Sequence, residues 1–141
     1  TPFRWPLVWL WLAVGLGVPP ARACGPFFPN YLLEHGDAAV LTFGSTTVAV
    51  REAIARAAEA GVDVRLIALR LLAPAQPEQL AAALNGVSQV LVVEQNHGAQ
   101  LYRYLRSMYD LPGKPASFHR PGPLPLRPGE LTDAILAWRR G

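Results

Sequence analysis

The stretch that decides the fold is Ala38-Ala39-Val40-Leu41-Thr42-Phe43, which is followed at once by Gly44-Ser45-Thr46-Thr47. A short apolar run closed by a glycine is typical of a β-strand that is buried on both faces. The hydroxyl side chains after the glycine predict a helix start, because Ser and Thr oxygens accept backbone N–H groups there. The apolar residues that follow recur at the spacing of one helical face, namely Val50, Ile54, Ala57 and Ala58.

The same alternation of strand and helix continues along the chain. Further strands are predicted at residues 62–69 and 87–93, with a shorter one within residues 114–120. Helices are predicted at residues 77–84, along the apolar face Leu101, Tyr104, Leu105 and Met108, and at residues 128–138. This order predicts an α/β domain over residues 31–141, with a doubly wound, mostly parallel sheet between two layers of helices.

Composition excludes several classes of protein. A chain of 141 residues has the length of one domain. A net charge of +3, from 13 basic and 10 acidic residues, is too small for the dense basic face of a nucleic-acid-binding protein. The single cysteine, Cys24, excludes a disulfide framework, a Cys-based zinc site and a protein-bound iron–sulfur cluster.

Residues 1–30 do not continue the strand and helix pattern, and we expect a poorly packed segment outside the domain. An apolar run at residues 5–18 follows Arg4 and precedes Ala21-Arg22-Ala23-Cys24, the order of a secretory signal. The run is shorter than the ~20 residues of a membrane-spanning helix. A non-native or upstream sequence, a signal or anchor, and a packed element all stay open, and residues 25–29 are typical of an extended linker.

Two polar corners follow the first and third predicted strands. Because parallel strands joined by right-handed crossovers end at one edge of the sheet, we expect the two corners to lie together there. They supply the candidates for ligand binding or an interface, which are Gly44, Ser45, Thr46, Glu94, Asn96, His97, Gly98 and Gln100.

Each corner also has a purely structural interpretation. The Gly44 corner could hold an anion at a helix N-terminus or could form a tight turn with a helix cap. Glu94 could pair with a helix N-terminus, a neighbouring subunit or a ligand, or could fasten its loop together with Asn96 by bonding backbone N–H groups. No catalytic residue is predicted, since the Gly-x-Ser-x-Gly elbow is absent, and the histidines have no metal-ligand spacing.

Four segments together indicate a family. They are residues 40–45, residues 61–74, residues 92–101 and residues 120–131. The third is the most specific: Val-Glu-Gln-Asn-His-Gly-Ala-Gln at residues 93–100 is close to a family pattern Val-x-Glu-x-Asn-x-Gly-Gln, with Ala99 as an extra residue. On these residues the chain resembles the C-terminal domain of the α subunit of 2-oxoacid:ferredoxin oxidoreductases, most closely the 2-oxoglutarate type, within the transketolase C-terminal fold.

The resemblance implies a cytoplasmic enzyme complex. Such a complex decarboxylates a 2-oxoacid on thiamine diphosphate and Mg²⁺, passes the acyl group to coenzyme A, and sends electrons through an iron–sulfur cluster to ferredoxin. Because the chain lacks the Gly-Asp-Gly motif for magnesium and diphosphate, we expect it to bind none of these cofactors and not to be an enzyme by itself.

We therefore expect an assembly domain whose partners are the remainder of the α subunit and the β subunit, with ferredoxin an indirect partner and neither nucleic acid nor membrane involved. Two alternatives stay open. One is a stand-alone α/β domain that binds a small ligand, and the other is a secreted or membrane-anchored protein.

Overall fold

A computed structural model describes residues 36–141 of the chain. The predicted features of the N-terminal segment lie outside the described residues: the apolar run, the signal-like site before Cys24 and the linker. The first five residues of the predicted domain, 31–35, lie outside them too.

Strands and helices alternate through the described part of the chain, as the sequence predicts. In chain order the elements are β1 (Ala38–Phe43), α1 (Thr46–Glu59), β2 (Arg65–Leu69), α2 (Pro77–Ala83), β3 (Gln89–Glu94), α3 (Gln100–Met108), β4 (Ala116–His119) and α4 (Pro128–Arg140).

The strands form one parallel sheet of four, in the order β2-β1-β3-β4. Strand β1 is central and pairs on both sides, so that Val40 lies opposite Leu66 of β2 and Leu91 of β3. Only a strand with apolar side chains on both faces suits this position, because helices cover both faces of a parallel sheet.

Two apolar clusters, one on each face of the sheet, give the fold its three layers. Val40 and its neighbours on that face pack with α1 and α4, whereas Ala39 and Leu41 pack on the opposite face with α2 and α3. Alternate residues of β1 therefore serve opposite cores, as the period of two in a strand requires. The predicted α/β fold with helices on both faces of a parallel sheet is confirmed.

Strands β2 and β3 begin later than the sequence pattern predicts. The residues after α1 still serve the helix end, since the Val62 N–H donates to the Ala57 carbonyl at 2.9 Å. Before β3, the Ser88 N–H donates to the Asp37 carbonyl at 2.7 Å, outside the regular ladder. The apolar residues before each strand therefore make the predicted strand longer than the segment whose backbone pairs in the sheet.

Two residues of the predicted helical faces are not in the core. Ala58 is exposed, and Ala53 occupies the buried position on α1 instead. Met108, which is the last residue of α3, is 47% exposed.

Within residues 36–141, no helix has both the length and the apolar content that crossing a bilayer requires.

We predict that Leu41→Ala destabilises the domain by about 2–5 kcal/mol, because Leu41 is fully buried in the central strand and its truncation leaves a cavity. Urea denaturation followed by circular dichroism measures the change. Leu124→Ala removes the same atoms from a side chain that is 60% exposed and should change the free energy of unfolding by less than about 0.5 kcal/mol. Equal losses in the two variants would contradict the assignment of the core.

Candidate functional site

The two polar corners lie at the same edge of the sheet. Strands β1 and β3 are parallel neighbours, and Thr42 lies opposite Val93 in their register. The connection after β1 leads to β2 on one side, and the connection after β3 leads to β4 on the other side, so the two connections leave in opposite directions. Their carboxyl ends therefore form the kind of switch point at which open α/β sheets bind ligands. The expected meeting of the Gly44 and Glu94 corners is confirmed.

The Gly44 corner is closed by an internal pair of hydroxyl groups. Thr42 Oγ1 donates to the Val93 carbonyl oxygen at 3.0 Å and lies 2.5 Å from Thr46 Oγ1. Thr46 is buried, and its hydroxyl donates to the Phe43 carbonyl oxygen at 3.0 Å. A buried hydroxyl needs a partner, and Thr46 finds it in the turn below the helix.

The prediction that a hydroxyl side chain caps α1 is wrong. Ser45 holds the N-cap position without a side-chain hydrogen bond to the helix, and Thr46 bonds in the opposite direction. The turn is closed by the backbone, because the Thr47 N–H donates to the Gly44 carbonyl at 3.2 Å. Gly44 has a φ of 71°, a value that glycine adopts at no steric cost.

Glu94 is the last residue of β3, and its carboxylate caps α3. It is 4% exposed, and its two oxygens accept the Leu101 N–H at 2.7 Å and the Tyr102 N–H at 3.0 Å. The positive end of the helix dipole stabilises a carboxylate at this position. Pairing with a helix N-terminus, which is one of the possibilities that the sequence leaves open, is present in the structure.

Asn96 completes the fastening of this corner. Its amide nitrogen donates to Glu94 Oε2, and its Oδ1 accepts the Gln100 N–H at 3.3 Å. Ala99, the extra residue in the family pattern, has a φ of 48° in the left-handed region. The interpretation that Glu94 and Asn96 hold their loop through backbone N–H groups is confirmed.

The remaining candidates lie on the surface and are not brought into one cluster. Gly44, Ser45, His97 and Gln100 are exposed, and Gly98 is half-buried. The side chains of Ser45 and His97 make no hydrogen bond to another described residue. As ligand or interface residues, the candidates stay predictions.

Gln95 has a role that the sequence analysis missed. Its Nε2 donates to the carbonyls of Gly122 at 3.1 Å and Leu124 at 2.8 Å, and its Oε1 accepts the Leu126 N–H at 3.2 Å. One amide therefore holds the loop between β4 and α4 against the end of β3. The only signal in the sequence was its place in the polar corner, since its partners follow 27 or more positions later.

An ion pair braces the same loop from its other side. Arg120 donates to both carboxylate oxygens of Glu130, at 2.9 and 3.0 Å, which joins the end of β4 to the first turn of α4. The Arg120 guanidinium holds the pKa of the Glu130 carboxyl below its ordinary value. Both side chains are about one-third exposed, so solvent screens the pair.

These observations define the class of protein: a doubly wound α/β domain whose polar corner residues at the sheet edge are bonded mainly to its own loops and helices. The chain belongs to the pyruvate:ferredoxin oxidoreductase core domain II family, whose pattern matches residues 36–117.

The chain also resembles three larger proteins. It is 32% identical over 77 residues to the NADH-dependent phenylglyoxylate dehydrogenase subunit alpha of Aromatoleum evansii, covering 55% of this chain and 18% of that protein. It is 38% identical over 77 residues to the 2-oxoacid:ferredoxin oxidoreductase 2, subunit alpha, of Aeropyrum pernix, covering 52% of this chain and 12% of that protein.

The third is a solved structure of 2-oxoglutarate:ferredoxin oxidoreductase from Magnetococcus marinus with 2-oxoglutarate, coenzyme A and succinyl-CoA bound. It matches with a TM-score of 0.65 and 28% identity, covering 73% of this chain and 18% of that chain. This chain therefore spans less than a fifth of the length of each of these relatives.

The described residues and the cysteine count do not fit the metal centres that the resemblance implies for a complete enzyme. A protein-bound iron–sulfur cluster takes four thiolates as a rule, and the sequence has one cysteine. Among residues 36–141, no three His, Cys, Asp or Glu side chains are grouped so as to hold a metal ion. Glu94, the buried carboxylate at the sheet edge, already accepts two backbone N–H groups.

We predict that Glu94→Gln lowers the free energy of unfolding by about 1–3 kcal/mol. The side-chain NH2 of the glutamine replaces one carboxylate oxygen, so that either the Leu101 or the Tyr102 N–H loses its acceptor. Hydrogen exchange should show faster exchange of the Leu101 and Tyr102 amides. Glu78→Gln is the control, since Glu78 is an exposed acid in the first turn of α2. Unchanged protection of the two α3 amides in Glu94→Gln would contradict the cap.

The Arg120–Glu130 pair predicts a dependence of stability on pH. The pKa of Glu130 is lower in the folded state than in the unfolded state, so the ionised carboxylate stabilises the fold. This contribution to the free energy of unfolding is fully present above the pKa of Glu130 in the unfolded state, and it is lost as the pH falls through the pKa in the folded state. The free energy of unfolding of the wild type should exceed that of Glu130→Gln by less than about 1 kcal/mol at pH 7, and this difference should vanish in acid. Thermal melts at pH 7, 5 and 3 measure it. A gap that widens on acidification is the opposite of what we expect.

Proposed function

We propose that this domain serves assembly in a 2-oxoacid:ferredoxin oxidoreductase. It packs, as part of the α subunit, against the remainder of that subunit and against the β subunit. The complete complex, located in the cytoplasm, carries out oxidative decarboxylation of a 2-oxoacid to an acyl-CoA on thiamine diphosphate, with electrons passed to ferredoxin.

The observation that carries this proposal is the internal use of Glu94. In a family of oxidoreductase domains, a buried acid at the switch point of the sheet is the first candidate for chemistry. Here both of its oxygens accept N–H groups of the same domain. A corner held in this way is a rigid surface, and a rigid surface suits contact with a neighbouring domain.

The relatives support the subunit and substrate parts of the proposal. Two are named as alpha subunits, and the chain covers only a small share of each. The 2-oxoglutarate type is supported by the Magnetococcus marinus enzyme, whose structure contains that 2-oxoacid. The metal centres of the complete enzyme would then lie outside residues 36–141, because no three His, Cys, Asp or Glu side chains are grouped there so as to hold a metal ion.

We predict that the purified chain co-elutes with a 2-oxoacid:ferredoxin oxidoreductase of the same organism from which core domain II has been deleted. Size-exclusion chromatography with light scattering measures the complex. The intact oxidoreductase is the control, since its own domain occupies the position and added chain should elute separately. If the chain binds neither preparation, the assembly role is wrong.

A further inference from the structure

Apolar side chains are exposed at the carboxyl edge of the sheet, where the Gly44 and Glu94 corners lie. The large apolar residues exposed in the described part of the chain are Phe43, Val48, Met108 and Leu124. Phe43 ends β1, Val48 lies in the first turn of α1, and the Leu124 backbone is bonded to Gln95 just after β3. These three lie at the carboxyl edge of the sheet, whereas Met108 ends α3 at the other edge.

Phe43 and Val48 form one wall of an open groove of about 510 Å³. The groove is also lined by Ala68 and Leu69 at the end of β2 and by Arg70, the residue that follows the strand. Phe43 is 41% exposed although every other residue of β1 is buried, so the strand ends in an aromatic side chain that the domain covers only in part.

The groove is lined by two arginines, Arg51 and Arg70, and by no acidic residue among residues 36–141. Arg51 already takes part in an interaction. Arg70 is exposed and makes no ion pair with another described residue. A guanidinium beside an apolar surface favours a carboxylate that is carried on an apolar segment, because the fork of N–H groups matches the carboxylate geometry.

The geometry points to a docking groove, between the ends of β1 and β2, for an acidic and apolar polypeptide segment of a partner subunit. This assignment rests on the proposed function and names the surface that performs it. Apolar side chains of the segment cover Phe43 and Val48, and an Asp or Glu of the segment pairs with Arg70. The apolar contact supplies most of the affinity, and the charges set the orientation and the rate of association.

The test uses the full chain with two substitutions in the groove, Val48→Asp and Arg70→Glu. Asp in the first turn of a helix is favourable, so Val48→Asp should fold as well as wild type. Each has a matched control outside the groove: Met108→Asp for the apolar position and Arg140→Glu for the exposed arginine. Circular dichroism confirms that all four variants are folded.

Binding is measured by titration into the oxidoreductase that lacks core domain II. Each groove variant should raise Kd at least about tenfold, and each control should change it less than about threefold. The loss of affinity caused by Arg70→Glu should become smaller as the salt concentration is raised from low to physiological ionic strength.

The outcomes separate the two proposals. Wild-type binding with equal affinity in all four variants overturns the groove and leaves the assembly role standing. No binding by wild type overturns both. A wild-type chain that dimerises in light scattering, and that Val48→Asp makes monomeric, assigns the groove to a second copy and overturns the partner subunit as its occupant.

Discussion

Burial of β1 on both faces, with hydrogen-bonded strands on both of its edges, is the constraint on which the rest of the structure depends. Val40 serves the core shared with α1 and α4, and Leu41 serves the core shared with α2 and α3. Because β2 and β3 both pair with β1, its position sets the register of the neighbouring strands. The corners after β1 and β3 meet for the same reason.

At that meeting point, a buried carboxylate and an open helix end satisfy each other. Burying an unpaired charge is costly, and a helix begins with N–H groups that lack partners. Glu94 and α3 remove both costs with two hydrogen bonds, of 2.7 and 3.0 Å. The buried polar groups at this edge are thereby used within the domain, whereas Phe43 and Val48 are among the side chains that it exposes there.

Much of the architecture could be predicted from local pattern. The bounds of β1 follow from its apolar run and Gly44, and α2 begins at Pro77 as the helix-start preference of proline indicates. Local pattern failed where a backbone group had a competing partner. Val62 lies in an apolar run but bonds to the end of α1, and Thr46 bonds to Phe43 instead of capping its helix.

The edge contacts of Gln95 could not be predicted at all. Its amide bonds to a loop that follows β4, and nothing in the spacing of residues 95 and 122–126 links the two segments. The role of Glu94 was one of several that its position allowed, because the choice between a helix N-terminus, a subunit and a ligand depends on where α3 begins in space. Tertiary placement, not residue type, decided both.

The pairing of α1 with α4 has a consequence for synthesis on the ribosome. The apolar stripe of α1, which includes Ile54, is covered in the folded domain by Leu131 and Ile135 of α4, which is the last described helix. At about 5–20 residues per second, that stripe leaves the ribosome several seconds before its cover is made. During this interval the apolar stripe of the nascent helix is exposed, and such a surface is prone to non-native association until α4 has been made.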